Sequence, residues 1–415
     1  MIQRAFREVL DGPLRNGVYK PKAFHGSGVP VINMKELFAF DRSDGQASDR
    51  VVLTPRELER VSLRPGDLLF ARRSFVLEGA GKCSIVRSLP EPTTFESSMI
   101  RARLDRERAD PEFFYYFFRS PHGRNAMSSI ATRTAVSGIT GQSLTSLDVP
   151  VPAVNIQRKI ATVLAAYDDL VENATQRIKV LEETAERIYR EWFVDFRYPG
   201  HNDVPLVDSP LGPLPRDWGL LKVDEWATVV VGSTPSRKEP AYWTDGDIAW
   251  VNSSAVNQTV VVRPSEMITR QGFESTSTKL MPRGSTLVAI TGATLGQVSY
   301  LALDACGSQN VGGIFGTRWP RYMYWRIRDD IRRIANRAMG GAQQHINRRI
   351  IAEHEIVKPT EAVLDRFEAE TTPIIDAIVA VLRQQAVLTR TRDLVLPRLV
   401  SGEIDVGEVD IAGGE

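Results

Sequence analysis

The chain has 415 residues, 42% of them hydrophobic and 25% charged, with a net charge of +1. That length exceeds one ordinary core, and the composition excludes fibrous and disordered classes. Two cysteines, Cys83 and Cys306, exclude a disulfide framework or a thiolate metal cage. No apolar run reaches the roughly 20 residues that span a bilayer, and Met1 to Glu8 lack the apolar core of a secretory signal, so the expected location is the cytosol.

Residues 1–152 read as a strand-rich globular domain. Phe24-His25-Gly26-Ser27-Gly28 imitates a cofactor-binding glycine turn, but Val29-Pro30-Val31-Ile32 after it reads as a strand and not as the required helix. Gly79-Ala80-Gly81-Lys82 imitates a phosphate loop, yet position 76 is Val76 where that loop needs glycine, so a hairpin turn is expected. The domain ends in Leu147-Asp148-Val149-Pro150-Val151-Pro152, a short strand stopped by prolines.

A helical region follows at 153–198. Leu164, Tyr167, Val171, Ala174, Ile178, Leu181, Ala185, Ile188 and Trp192 keep an unbroken 3-4 spacing, a heptad seam over four repeats. A Pro-, Gly- and Asp-rich linker occupies 199–215. A second domain spans 216–359, a second helical region 360–405, and a tail 406–415.

The second half repeats the first. A shift of 207 carries the seam onto Thr371, Ile374, Ile378, Val381, Gln385, Leu388, Arg392, Val395 and Leu399, and carries the final strand onto His354 to Pro359. Pro111-Glu112-Phe113-Phe114-Tyr115-Tyr116 resembles Pro320-Arg321-Tyr322-Met323-Tyr324-Trp325 at a different offset, so loop lengths differ between the halves.

The fold class expected is α+β: two strand-rich globular domains, each followed by a long helix, with the helices forming an antiparallel coiled coil in a pseudo-twofold repeat. The seam residues predicted to meet, or to dock a partner subunit, are Leu164, Val171, Ile178, Leu181, Ile188, Trp192, Ile374, Ile378, Val381 and Leu388. Two helices each packed on their own domain, or a homodimeric seam, are the alternatives. An intramolecular pair on the order of 43 Å long would hold two DNA-reading modules about one helical turn of DNA apart, roughly 34 Å. A bipartite target with a fixed spacer would follow.

Nine arginines lie between Arg318 and Arg349 against only Asp329 and Asp330, which reads either as a phosphate-neutralising surface or as a solvated helix face. Catalytic chemistry is missing from the sequence. There is no Pro-Pro pair for an amino-methyltransferase loop, and His25, His122, His201, His345 and His354 show no metal-ligand spacing.

Several stretches together resemble the specificity subunits of type I restriction–modification systems. Gln157-Arg158-Lys159-Ile160-Ala161-Thr162-Val163-Leu164, running on to Glu191-Trp192-Phe193-Val194-Asp195-Phe196, is similar to that family's central helical region, and Asp393 to Ile404 to its C-terminal counterpart. Leu214-Pro215-Arg216-Asp217-Trp218, Gly232-Ser233-Thr234-Pro235-Ser236, Tyr242-Trp243 and Gly246 to Val251 resemble the opening of a target-recognition domain. Gly292-Ala293-Thr294-Leu295-Gly296-Gln297 is another family stretch, with Gln297 where lysine is frequent.

The resemblance implies a non-catalytic subunit that reads double-stranded DNA and binds no cofactor itself. It implies two modification subunits with S-adenosylmethionine that methylate adenine, docked on the paired helices, and restriction subunits with ATP and Mg. A complete methyltransferase, a coiled-coil adaptor without DNA affinity, and a specificity subunit of a system without an ATP-driven motor are the competing readings.

Base readout takes Arg or Lys to guanine and Asn or Gln to adenine. The candidates in the first domain are Lys20, Lys22, Arg72, Arg73, Ser74, Arg101 and Arg133. In the second they are Ser233, Thr234, Arg237, Lys238, Asn252, Gln297, Gln343, Gln344 and His345.

Overall fold

The computed structural model describes residues 2–74, 79–132, 137–338 and 345–407. The chain divides into two compact units, one made of the stretch up to Val171 together with the stretch from Val387 onward, the other of Glu172–Ala386. Both divisions fall inside a long helix.

In the first unit a five-stranded sheet has the order Arg15–Asn16, Met99–Ala102, Leu68–Ala71, Cys83–Val86, Arg42–Ser43. All its pairings are antiparallel except the last, which is parallel. A smaller sheet sets His25–Ile32 antiparallel to Asp49–Val51 and parallel to Thr94–Phe95. The predicted strand at Val29 to Ile32 is the second half of His25–Ile32.

The second unit repeats this plan down to the parallel pairings. Its five strands run Thr228–Val231, Val311–Phe315, Thr286–Ala289, Val298–Leu301, Val260–Val261, again with only the last pairing parallel. Ile248–Val251 pairs antiparallel with Glu266–Ile268 and parallel with Ala305–Gly307. Each unit also closes the same way: Gln3–Ala5 pairs with the final strand Asp148–Pro150, and Gly219–Lys222 with the final strand Glu355–Lys358.

Helix Pro111–Arg119 shows how composition places an element. The Asp110 side chain accepts from the Phe113 N–H, and proline at the first turn wastes no donor. Phe113 to Phe118 are then six successive buried aromatics. A helix apolar on every side belongs inside a core, and this one fills the first unit's core beside Phe6, Phe70 and Val149.

The long helices are Val154–Phe193 and Glu361–Ser401. In the first unit Ile160, Ala161 and Leu164 share a core with Leu396, Leu399 and Val400. Lys159 donates to the Gly407 carbonyl at 2.8 Å, and Arg392 to Asp168 at 2.6 Å. In the second, Ala174, Ile178, Trp192 and Phe193 share a core with Phe367, Ile375, Ile378 and Val381, and Gln385 donates to Thr175 at 2.6 Å. In each unit, numbering that rises along one helix falls along the other, so the segments pair antiparallel.

Leu164, Ile178, Trp192, Ile378 and Val381 are buried as expected. Leu181, Ile188 and Ile374 are partly buried against the second unit's core, and Val171 and Leu388 are half-buried. One expectation is corrected: the buried stripe is wider than a two-helix seam. Tyr189, Phe193, Ile375 and Val379 are buried as well, because the paired helix segments also face the globular part of the second unit. Tyr189 stacks on Trp325 with ring centroids 5.9 Å apart. The polar residues of the predicted seam are each accommodated: Thr371 donates to the Phe367 carbonyl, Gln385 meets Thr175, and Arg392 meets Asp168.

Candidate nucleic-acid interface

Strand register separates two ends of the second unit's larger sheet. At one end Arg283 reaches Asp376 and Arg318 reaches Asp365 of the terminal helix. At the other, where Val231, Ala289, Val298 and Val311 begin or end their strands, a crown of polar loops gathers. Ser253, Ser254, Thr291, Gly292, Ala293, Thr294, Asn310 and His345 line an open groove of about 670 Å³ there. His345 is exposed and bridges to Thr291.

Thr234 joins the crown through a hydrogen bond to Gln309. Ser233 donates its N–H to the Gly307 carbonyl at 2.8 Å. A Cβ on Gly232 would meet that same carbonyl at 2.0 Å, so glycine is required for this close approach. Gln297 is exposed at the foot of the loop that carries Thr291 and Thr294.

Arg237 takes a different part. Its guanidinium lies 3.6 Å from the Trp243 ring centroid and grips Glu266 at 2.5 and 2.7 Å. The Glu266 hydrogen bonds raise its pKa. Trp243 donates to the Ser236 carbonyl and Trp250 to that of Ser233. Arg237 therefore braces the arm that carries exposed Lys238. Asn252 is half-buried, and its side-chain oxygen caps the following turn through the N–H groups of Ser254 and Ala255.

The first unit has an equivalent end. Ser97 donates to the Val18 carbonyl, Arg72 to that of Ser98, and Ile139 to that of Arg72. These bonds bring segments 17–20, 97–98, 72–74 and 137–139 side by side. Lys22 and Arg73 are exposed, and Arg72 and Ser74 half-buried. Lys20 is largely covered and held by Glu57 at 2.7 Å.

Arg101 requires a correction. It is 7% exposed, it donates to the Ser62 carbonyl, and so it cannot reach a base edge. Its strand faces a covered layer of the domain, which residue type alone does not reveal. Arg133, Gln343 and Gln344 lie outside the described residues.

Gln309, Asn310, Ser253, Thr291 and Thr294 were missed because their loops are remote in sequence and meet only through strand register. Tyr19, 83% exposed, and Phe24, 44% exposed, were also missed. Aromatics flanking the Lys20–Lys22 pair, Tyr19 before it and Phe24 after it, were the available signal.

Of the two readings of the arginine-rich stretch, a phosphate-neutralising surface or a solvated helix face, the ion pairs count against the first. Arg318 pairs with Glu361 and Asp365, Arg321 with Glu368, Arg328 with Glu186, and Arg349 with Glu353. Arg326 is buried against Asp330. Among the described residues, acids remote in sequence pair with Arg318, Arg321 and Arg328, and acids within four residues pair with Arg326, Arg333 and Arg349.

The family model described as the type I restriction modification DNA specificity domain matches residues 51–183 and again 215–362, most of the chain. The MjaIX type I restriction enzyme specificity subunit of Methanocaldococcus jannaschii is 24% identical over 94% of this chain and 90% of that protein. The HindI specificity subunit of Haemophilus influenzae is 21% identical over 83% of this chain and 87% of its own length. The crystal structure of a type I restriction–modification S subunit from M. genitalium shares the fold, with a TM-score of 0.62 at 12% identity over 96% of this chain and 95% of that one. With its two matched domains and repeated strand plan, the chain belongs to the DNA specificity subunits of type I restriction–modification systems, the non-catalytic component of those enzymes.

Proposed function

We propose that each unit reads one half of a bipartite duplex target through its loop crown, and that the paired helices set the spacer. One observation carries this reading. Two units of one strand plan each gather side chains suited to base edges at one end of the larger sheet, and in the second unit that end is the one remote from its terminal-helix contacts. Their loops differ in sequence, so the two half-sites differ. Lys22, Arg72, Arg73 and Ser74 serve the first half-site, with Lys20 beside them. Thr234, Lys238, Gln297, Asn310 and His345 serve the second, with Arg237, Ser233 and Asn252 shaping the loops.

The helices also offer apolar side chains to a partner: Leu170, Val387 and Leu394 in the first unit and Val180 in the second are each at least half exposed. This supports docking of two adenine-methylating modification subunits on the helical region. Those subunits would bring S-adenosylmethionine, and restriction subunits would bring ATP and Mg. A protein working with such subunits on DNA would act in the cytosol. Among the described residues no helix is long and apolar enough to cross a membrane.

Mapping adenine methylation across the host genome with the gene intact and deleted tests the reading. Loss of one bipartite motif on deletion is expected. An unchanged map, with the modification subunit shown to be expressed, would overturn it.

A further inference from the structure

Arg15 and Arg101 are direct cross-strand partners at the edge of the first unit's larger sheet, so their side chains leave on the same face. Arg103, two residues on, shares that face. Arg103 is compensated, because its Nε and Nη2 hold both oxygens of Asp67 at 2.7 Å. The other arginines there are not.

Arg101 donates from Nη1 to the Ser62 carbonyl at 2.8 Å, and its Nε is buried without an acceptor. Burial depresses its pKa; Asp67 opposes this, while Arg103, Arg15 and Arg64 add to it. Arg64 follows two residues after Ser62, and both Arg64 and Arg15 are exposed. Among the described residues neither has a carboxylate partner within 4.0 Å. A buried charge whose nearest acid, Asp67, is already held by Arg103 is undercompensated, and like charges facing across a strand pair add to the cost. An external anion at the Arg15–Arg64 face relieves both. Arg64 also lines a groove with Asp11, Asp67, Asp105 and Glu107, which Arg103 and Arg106 share, whereas Arg15 is not part of that lining.

We propose that Arg15 and Arg64, backed by the buried charge of Arg101, form a phosphate site that takes one backbone phosphodiester of the duplex read by the first unit. Arg101 does not touch the phosphate; it makes the surface in front of it electropositive. Edge strand Arg15–Asn16 runs on through Gly17 and Val18 to Tyr19 and Lys20 at the loop end, so one strand joins the phosphate site to the base-reading crown. This inference rests on the duplex-reading role proposed above.

The test uses the assembled complex with its modification subunits. Binding of the target duplex and of a scrambled duplex is measured for Arg15→Gln, Arg64→Gln and the double variant across salt. Each phosphate contact contributes about 0.9 to the slope of log affinity against log salt. The double variant should lose about that much slope, weaken both duplexes alike and leave the methylated sequence unchanged, whereas Arg15→Lys should keep the wild-type slope. An unchanged slope with intact target preference overturns the phosphate site alone. A wild-type complex that does not prefer its target overturns the reading beneath it. Inorganic phosphate is the second probe: if it raises the melting temperature through Arg15 and Arg64 while the duplex slope stays unchanged, the site belongs to free phosphate and the duplex assignment fails.

Discussion

Arg392 reaches Asp168 across the first unit's helix pair at 2.6 Å, and the other oxygen of Asp168 accepts the Tyr116 hydroxyl at 2.8 Å. The carboxylate is thus shared by the terminal helix and the aromatic helix of the domain. Burial lowers the Arg392 pKa, but the hydrogen bonds to Asp168 and Asp393 outweigh it and raise the net value.

Removing the cation should be costly. Arg392→Met leaves Asp168 buried and unpaired, and breaking such a pair costs about 3–5 kcal/mol. Urea denaturation of the variant should show a loss of that order. A loss below about 1 kcal/mol would place the pair among the weak surface bridges.

The seam makes a second prediction. Ile378 is fully buried, and Ile378→Ala should cost about 2–5 kcal/mol by thermal or urea unfolding. Leu181 is only partly buried against the same core. Leu181→Asp should therefore leave a folded chain that no longer co-elutes with its modification subunits. Normal co-elution and methylation by that variant would refute the helix-pair docking.

Acid should destabilise the second unit through Asp330. Its carboxylate lies against Arg326, at 2.8 Å from Nε, and 3.0 Å from His354 Nε2, all three groups buried. Burial alone would raise the Asp330 pKa, yet the His354 hydrogen bond and the Arg326 charge lower it from 3.8 to about 2. A lowered folded-state value stabilises above the unfolded pKa, and that gain, about 2 kcal/mol, disappears as pH falls from about 4 towards 2. Urea midpoints of wild type should drop across that window more steeply than those of Asp330→Asn. Parallel curves would show that another group governs acid stability.

Arg237 and Glu266 separate bracing from reading. If Arg237 supports the arm, Arg237→Ala and Glu266→Ala should weaken the second half-site alike, since either frees Trp243. An effect confined to Arg237→Ala would make it a direct base contact. Duplex binding by the complex, with each half-site mutated in turn, decides between them.

Asn310→Ala and His345→Ala should change which second half-site is methylated while the first half-site stays fixed. Each lost base contact is worth about 1–3 kcal/mol of discrimination. Methylation mapping reads the outcome, and a change in the first half-site would contradict the division of labour.

The architecture was legible in the sequence where a period or a repeat expressed it. The 3-4 spacing from Leu164 to Trp192 located the long helix, and the 207-residue shift located its counterpart. The breadth of the buried stripe was not legible, because Tyr189 and Phe193 are buried by Trp325 and Tyr322 from a distant segment. Charge misled for the same reason: Arg318 and Arg321 look unpaired until folding brings up Asp365 and Glu368. Residue type could nominate Arg101 as a reader, but only the strand register and the Ser62 carbonyl show which way it points. The loop crown was half legible, since Thr234, Gln297 and His345 stood out by chemistry while Gln309 and Asn310 needed the sheet to bring them near.

The discontinuity of the first unit has a consequence for how the molecule is made. Its core takes Leu396, Leu399, Val400 and Val406 from the far end of the chain, whereas the second unit draws only on Glu172–Ala386. During synthesis the second unit has all its residues once Ala386 leaves the ribosome. The unit begun first is the one finished last: its aromatic helix and the front half of Val154–Phe193 wait, incompletely covered, for more than two hundred residues to be added. A chain terminated and released just after Ala386 would thus carry one finished reader and one with an open flank, the form most exposed to proteases and to self-association.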